Sequence, residues 1–200
     1  GALAFRLPEP FDHSELYKWF NTMSLHGQSK DALAKTQPGA WRYDVEFPGW
    51  KCNMTDIQAA IGLVELDRYD NDTQPRRKAI CERYAAAFGA DPRFEPPLFR
   101  DAERESSYHL YMLRVREVTE AQRDAIITAI AQREVSVNVH FIPLPLLSYY
   151  KAQGYRIENF PNTYKQYSRE ISLPVYYDLA DAQVDEVVAA VKAAVSETMG

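Results

Sequence analysis

The stretch Gly49-Trp50-Lys51-Cys52-Asn53-Met54-Thr55-Asp56-Ile57-Gln58-Ala59-Ala60-Ile61-Gly62-Leu63 constrains the chain more than any other, because the backbone must change type inside it. An extended, aromatic approach ends at Asn53 and passes into a helix. Thr55 and Gln58 stand three apart, the spacing at which a hydroxyl and a side-chain amide reciprocally satisfy two orphan amide groups at a helix start. Ala59, Ala60 and Gly62 then leave little side chain on one region of the helix surface. A glycine inside a helix costs about 1 kcal/mol against alanine, so close approach of another backbone is the expected compensation. Spacing alone is equally consistent with a buried helix start inside one domain.

Composition narrows the classes of partner. Two hundred residues suit one good-sized domain or two small ones, and 46% hydrophobic content is that of a packed soluble protein. A formal charge of −5 argues against nucleic acid or an anionic membrane as the main partner. No apolar run approaches the roughly eighteen residues needed to span a bilayer. Cys52 and Cys81 form no CxxC spacing, which fits reduced thiols in a cytoplasmic protein. His13, His26, His109 and His140 are scattered, with none at zinc-ligand spacing, so metal catalysis is not expected.

Along the chain, Gly1 to Phe5 reads as an apolar strand, and Leu7-Pro8-Glu9-Pro10 breaks it. Asp12 or Ser14 caps a helix to about Ser24 with Leu16, Phe20 and Met23 on one face, and Gly27 supplies a left-handed cap. Residues 32–48 are irregular, with Trp41, Tyr43 and Phe47 spaced through them. Their low basic charge favours a loop tucked against protein over a nucleic-acid stacking platform. The helix from Asp56 runs to about Tyr69, Asn71-Asp72 interrupts it, and Pro75 opens another with Ile80, Tyr84 and Phe88, ended by Gly89. Residues 90–100, with Asp91-Pro92 and Pro96-Pro97, read as a linker.

Beyond it strands and helices alternate. Tyr108 to Arg116 reads as a strand, and Thr119 with Gln122 opens a helix burying Ile126, Ile127 and Ile130. Val135, Val137, Val139 and Phe141 alternate with Ser136, Asn138 and His140, which predicts a strand with His140 on the polar face. Asp181 caps a last helix striped by Val184, Val187, Val188, Val191 and Val195. The order predicts an α/β small domain packed in layers.

These segments together resemble the DegT/DnrJ/EryC1/StrS family of pyridoxal-phosphate (PLP) sugar aminotransferases. The run Met54 to Gly62 is similar to that family's Met-Thr-Asp-Ile-Gln-Ala-Ala-Leu-Gly hallmark, with Ile61 for leucine. Just before it, Lys51, Cys52 and Asn53 stand where the family has asparagine, tyrosine and arginine. Ser24 to Ala32 resembles its Arg-Asn-His-Gly-Ile-Ser-Arg-Asp-Ala segment. Val139 to Leu144 resembles Val-His-Tyr-Ile-Pro-Leu-His, with Pro145 replacing the second histidine. Phe160-Pro161-Asn162 and Ser172 to Tyr176 match a further pair of runs.

The resemblance implies the tail of a fold-type I (aspartate-aminotransferase-like) large domain over 1–89, followed by the small α/β carboxy-terminal domain over 90–200. Gly1-Ala2 resembles a run that follows the family's Schiff-base lysine, so the chain reads as a carboxy-terminal piece. None of Lys18, Lys30, Lys35, Lys51, Lys78, Lys151, Lys165 or Lys192 holds the family's Schiff-base position, so no catalytic residue is assigned and the chain alone is expected to be inactive. The whole enzyme would move an amino group from an amino acid, glutamate being the expected donor, to a keto nucleotide-sugar in polysaccharide or secondary-metabolite biosynthesis. Lys51 and Asn53 are the implied contacts to the PLP phosphate, donated across a homodimer, and His26, His140 and Phe141 the implied substrate-binding residues. Two alternatives stand beside this: a PLP sugar dehydratase of the same family, and a non-catalytic dimerisation or binding domain.

Overall fold

The computed structural model describes residues 2–28 and 44–200. Trp41, Tyr43 and the run from Ser29 to Ala32 fall outside the described residues. The chain forms two compact units, Gly1–Asp67 and Arg68–Gly200.

In the first unit, residues 2–7 run without regular structure rather than as a strand. A strand needs a ladder partner for its amides, and no pairing to this run is present among the described residues. Helix α1 (His13–Ser24) starts where expected, because the Asp12 carboxylate accepts from the amides of Ser14 at 2.8 Å and Glu15 at 3.0 Å. Leu16, Phe20 and Met23 are half-buried. Its end turns through two left-handed residues, His26 (φ 61°) and Gly27 (φ 73°), and the Gly27 amide donates to the carbonyl of Thr22 at 2.8 Å.

Helix α2 (Asp56–Arg68) opens on the Thr55–Gln58 box: Thr55 N–H donates to Gln58 Oε1 at 3.1 Å, and Gln58 N–H to Thr55 Oγ1 at 3.4 Å. Among the described residues the expected compensation for Gly62 is not found, since a Cβ added there meets no atom within 4 Å. None of α2 is buried, and Ile57, Ile61, Val64 and Leu66 are all more than 60% exposed.

The predicted break at Asn71-Asp72 is instead a π-helical turn, Tyr69–Thr73, leading into α3 (Gln74–Gly89) with Pro75 in its first turn. The wider turn absorbs the poor helix formers by lengthening the hydrogen-bonded ring instead of ending the helix. Ile80, Cys81, Tyr84 and Phe88 of α3 are buried in the core of the second unit. Helix α3 thus belongs to the second compact unit. The proline-rich stretch 90–100 is not all linker: β1 (Phe94–Glu95) pairs antiparallel with β2 (Tyr111–Val115), Phe94 opposite Val115 and Glu95 opposite Arg114.

Strand β2 also pairs antiparallel with β3 (Glu170–Leu173), Tyr111 opposite Leu173 and Arg114 opposite Glu170, giving the sheet order β1-β2-β3. Alternation gives the sheet two unlike faces. Tyr111, Leu113, Val115, Ile171 and Leu173 join the core with α3, α4 (Glu120–Ala131) and α7 (Asp181–Met199). Met112, Arg114, Glu170 and Ser172 occupy the other face. Helix α4 carries the second expected box, with Gln122 N–H donating to Thr119 Oγ1 at 3.3 Å and Thr119 N–H to Gln122 Oε1 at 2.9 Å. Ile126 and Ile130 are fully buried and Ile127 partly so. In α7, Val184, Val187, Val191 and Val195 are buried as predicted, with Val188 at the margin.

Two local readings are corrected. Ala180, not Asp181, occupies the N-cap of α7; its amide donates to Gln183 Oε1 at 2.9 Å, while the Asp181 carboxylate pairs with Arg76 at 2.7 Å. Residues 135–141 form no strand. Val135, Val137 and Val139 do alternate in burial with Ser136 and Asn138, but among the described residues the segment's backbone pairs only at the Asn138–Ser172 bridge. Burial pushes the Cys81 thiol up to about 12, and moves the Tyr84 and Tyr111 hydroxyls upward too.

Candidate functional site

The sequence-predicted residues fall into two groups, one in each unit. In the first, the end of α1 and the segment ahead of α2 are laced together by backbone. Trp50 N–H donates to Met23 O at 2.7 Å, His26 N–H to Trp50 O at 3.0 Å, and Cys52 N–H to Ser24 O at 2.9 Å, with Leu25 bridged to Lys51. Two glycines permit this approach. A Cβ on Gly27 would lie 1.7 Å from the Phe47 carbonyl oxygen, and one on Gly49 would lie 2.3 Å from the Gly27 nitrogen. His26 is exposed on this lacing, and the segment it binds carries Lys51 and Asn53, both exposed.

Lys51 Nζ donates to Asn53 Oδ1. That bond uses the Asn53 oxygen, so Asn53 keeps its two amide N–H donors and Lys51 two further N–H donors. One full positive charge and several N–H donors thus lie together on two exposed residues. That donor set suits a phosphate, which offers only acceptors and negative charge.

In the second unit, His140 lines a cavity of about 270 Å³ with Phe141, Met112, Arg114, Tyr167 and Glu170. The polar face of the sheet supplies its floor. The Asn138–Ser172 bridge is antiparallel, so two residues on, His140 comes opposite Glu170. His140 N–H donates to Glu170 Oε2 at 3.1 Å, and its Nδ1 lies 2.8 Å from Ser172 Oγ. Phe141 differs from its expected place on the apolar face. It is 75% exposed, its ring edge-on to His140 with centroids 4.7 Å apart.

Charge around the cavity is organised by arginines. Arg114 pairs with Glu95 at 2.7 Å, and Arg169 with the same carboxylate at 3.0 Å. Desolvation acts to raise the Glu95 carboxyl, but the two guanidiniums outweigh it and hold the group below its usual range. Arg123, only 1% exposed, binds the carbonyls of Tyr167 at 2.6 Å and Glu170 at 3.0 Å and lies 4.7 Å from the Tyr167 ring centre. It fixes the turn into β3 from α6 (Pro161–Tyr167), the helix that follows the short α5 (Ser148–Ala152). Burial pushes the Glu170 carboxyl up, opposed by the bonds from Ser172 and the His140 amide.

Sequence reasoning missed Glu170, Ser172 and Arg114. A signal was present in Glu170-Ile171-Ser172-Leu173, where polar and apolar residues alternate through a short strand. Nothing in that pattern says which segment lies across from it. Among the described residues no group of histidine, cysteine and carboxylate side chains is arranged to hold a metal ion. No helix among them is long and apolar enough to cross a membrane.

The chain belongs to the DegT/DnrJ/EryC1/StrS aminotransferase family, whose profile matches residues 11–192. It is 42% identical over 185 residues to the spore coat polysaccharide biosynthesis protein SpsC of Bacillus subtilis, covering 90% of this chain and 47% of that protein. Among solved structures it is similar to the putative sugar aminotransferase Spr1654 from Streptococcus pneumoniae. The PMP form of that protein aligns with a TM-score of 0.90 at 42% identity, over 97% of this chain and 48% of the other. Its PLP form gives a TM-score of 0.88 at 38% identity, over 98% and 47%. The chain thus spans about half the length of the relatives it matches.

Proposed function

We propose that this chain is the carboxy-terminal part of a PLP-dependent aminotransferase that acts on a nucleotide-linked keto-sugar, with an amino acid such as glutamate as donor. The observation that carries the reading is the Lys51–Asn53 donor pair, held at the segment that precedes the family hallmark. Lys51 Nζ and Asn53 Nδ2 bind the PLP phosphate, and in a homodimer they do so for the neighbouring subunit. PLP, when bound, supplies the electron sink that makes a C–H bond beside the amino nitrogen acidic. His140 and Phe141 line the sugar side, and His26 belongs to the lacing that holds Lys51 in place. Polysaccharide biosynthesis, the role carried in the name of the SpsC relative, is the matching pathway class.

The test uses the complete enzyme. Incubation with PLP, borohydride reduction and peptide mapping should place a label on a lysine outside this chain. The Lys51→Ala variant should bind PLP about tenfold more weakly, the loss expected for one charge-assisted hydrogen bond. Bound PLP that cannot be reduced onto the protein would instead favour a dehydratase, and absence of PLP binding would leave a binding domain.

A further inference from the structure

Glu170 is 6% exposed, and both its carboxylate oxygens are occupied. Oε2 accepts from the His140 amide, and Oε1 accepts from the Ser172 hydroxyl. An ionised carboxylate only accepts, and a serine hydroxyl has a single hydrogen. That hydrogen is committed to Glu170, so Ser172 Oγ can only accept from His140 Nδ1, 2.8 Å away. With Glu170 ionised, the imidazole proton is therefore on Nδ1. His140 Nε2, left with its lone pair, has no hydrogen-bond partner among the described residues, and His140 lines the cavity.

We propose that Glu170 is a positioning residue that acts through Ser172 to hold His140 as the Nδ1–H tautomer, presenting Nε2 as an acceptor for a hydroxyl group of the bound sugar. The identity of the ligand rests on the aminotransferase reading; the tautomer does not. Were Glu170 protonated, it would donate to Ser172, which would donate to Nδ1, and Nε2 would be a donor instead. The same two-link chain thus reads out in opposite senses, and the tautomer distinguishes them.

The substitution Glu170→Gln gives a sharp test. Glutamine has one acceptor oxygen where glutamate has two. The backbone amide of His140 can only donate, so it takes that oxygen. The glutamine NH₂ then faces Ser172, which accepts from it, and the freed hydroxyl hydrogen is available to donate to His140 Nδ1. The tautomer inverts. In the full chain, long-range ¹H–¹⁵N spectra at about pH 8, where an ordinary histidine is neutral, should show His140 protonated on Nδ1. His140→Gln assigns the signals, and Glu170→Gln should show the proton on Nε2. An Nε2–H tautomer in the unaltered protein overturns the proposal, as does an unchanged Nδ1–H pattern in a folded Glu170→Gln variant.

Should that variant not fold, Ser172→Ala serves in its place. It should abolish the Nδ1–H preference, and persistence of that preference would overturn the proposal. In the complete enzyme, Glu170→Gln should raise KM for the sugar substrate about tenfold with kcat little changed, as expected for an acceptor turned into a donor. An unchanged KM removes the hydroxyl as ligand. If the tautomer inverts while the protein binds no PLP, the aminotransferase reading fails and the relay stands. PLP binding with the wrong tautomer fails the relay alone.

Discussion

The two units spend their apolar residues in opposite ways. The second gathers residues from α3, α4, α7 and one face of the sheet into a continuous core with Tyr84, Phe88, Leu113 and Ile130 fully buried. Among its described residues, the first leaves Ile57, Ile61, Val64 and Leu66 of α2 exposed and is laced by backbone hydrogen bonds and helix caps. Apolar burial is the larger source of stability, roughly 25 cal/mol per Å², whereas a single net hydrogen bond contributes about 1 kcal/mol. The second unit is therefore expected to carry the cooperative unfolding of the chain. The first depends on local chemistry.

The largest effect that sharpens this contrast is in the core. Leu113→Ala should lower the stability of the second unit by about 2–5 kcal/mol, read as a shifted urea midpoint, while Ile61→Ala should stay within about 0.5 kcal/mol. Equal shifts would break the comparison. Gly27→Ala should cost more than about 1 kcal/mol within the first unit, since the left-handed backbone and the Phe47 carbonyl both oppose a side chain there. The expected sign is lost exchange protection at the Trp50 and Cys52 amides, with the second unit's midpoint unmoved.

The paired capping boxes allow a finer cut, because the same chemistry occurs in each unit. Thr119→Ala should lower the main unfolding free energy by about 1 kcal/mol. Thr55→Ala should reduce helicity at α2 and leave that transition in place.

The smallest effect is with acid. Asp72, bonded by the Tyr177 hydroxyl, Asp91 by Arg93, Asp181 by Arg76 and Asp185 by Arg83 are all held below the usual aspartate range. Depressed carboxyls contribute stability above the unfolded value of about 3.9, and that contribution disappears as pH falls through their folded values. Glu170, shifted upward, acts in the opposite sense: its ionisation costs stability as pH rises, and acid relieves it. Acid unfolding should thus begin below about pH 4 in the second unit, where all five groups lie. A midpoint independent of pH from 2 to 5 (roughly the carboxylate range) would count against these pairings.

What could be read from the sequence was what is local. Asp12, Thr55, Gln58, Thr119 and Gln122 act within one helical turn, so their spacing alone placed three helix starts. The valine stripe of α7 likewise needs only the 3.6-residue period. The valine alternation correctly predicted that Val135 and Val137 pack against the core, yet the strand did not form, because a strand also needs a partner along its length. The His140 contacts were illegible for the same reason. They depend on Asn138 meeting Ser172, a pairing that no pattern in either segment specifies. Phe141 was misplaced because alternation was carried past the point where pairing stops. The family resemblance pointed to His140, but not to the buried glutamate behind it.

The contrast between the two cysteines has a practical consequence. Cys81 is sealed in the core with its thiol pushed up to about 12, so it forms almost no thiolate near neutrality. Cys52 is exposed, and its chain neighbours are Lys51 and Asn53. A maleimide dye should therefore mark a single sulfur of this folded chain, beside the proposed phosphate contacts. The rate of that labelling becomes a footprint, slowing when an anion occupies the Lys51–Asn53 donors and returning when it leaves.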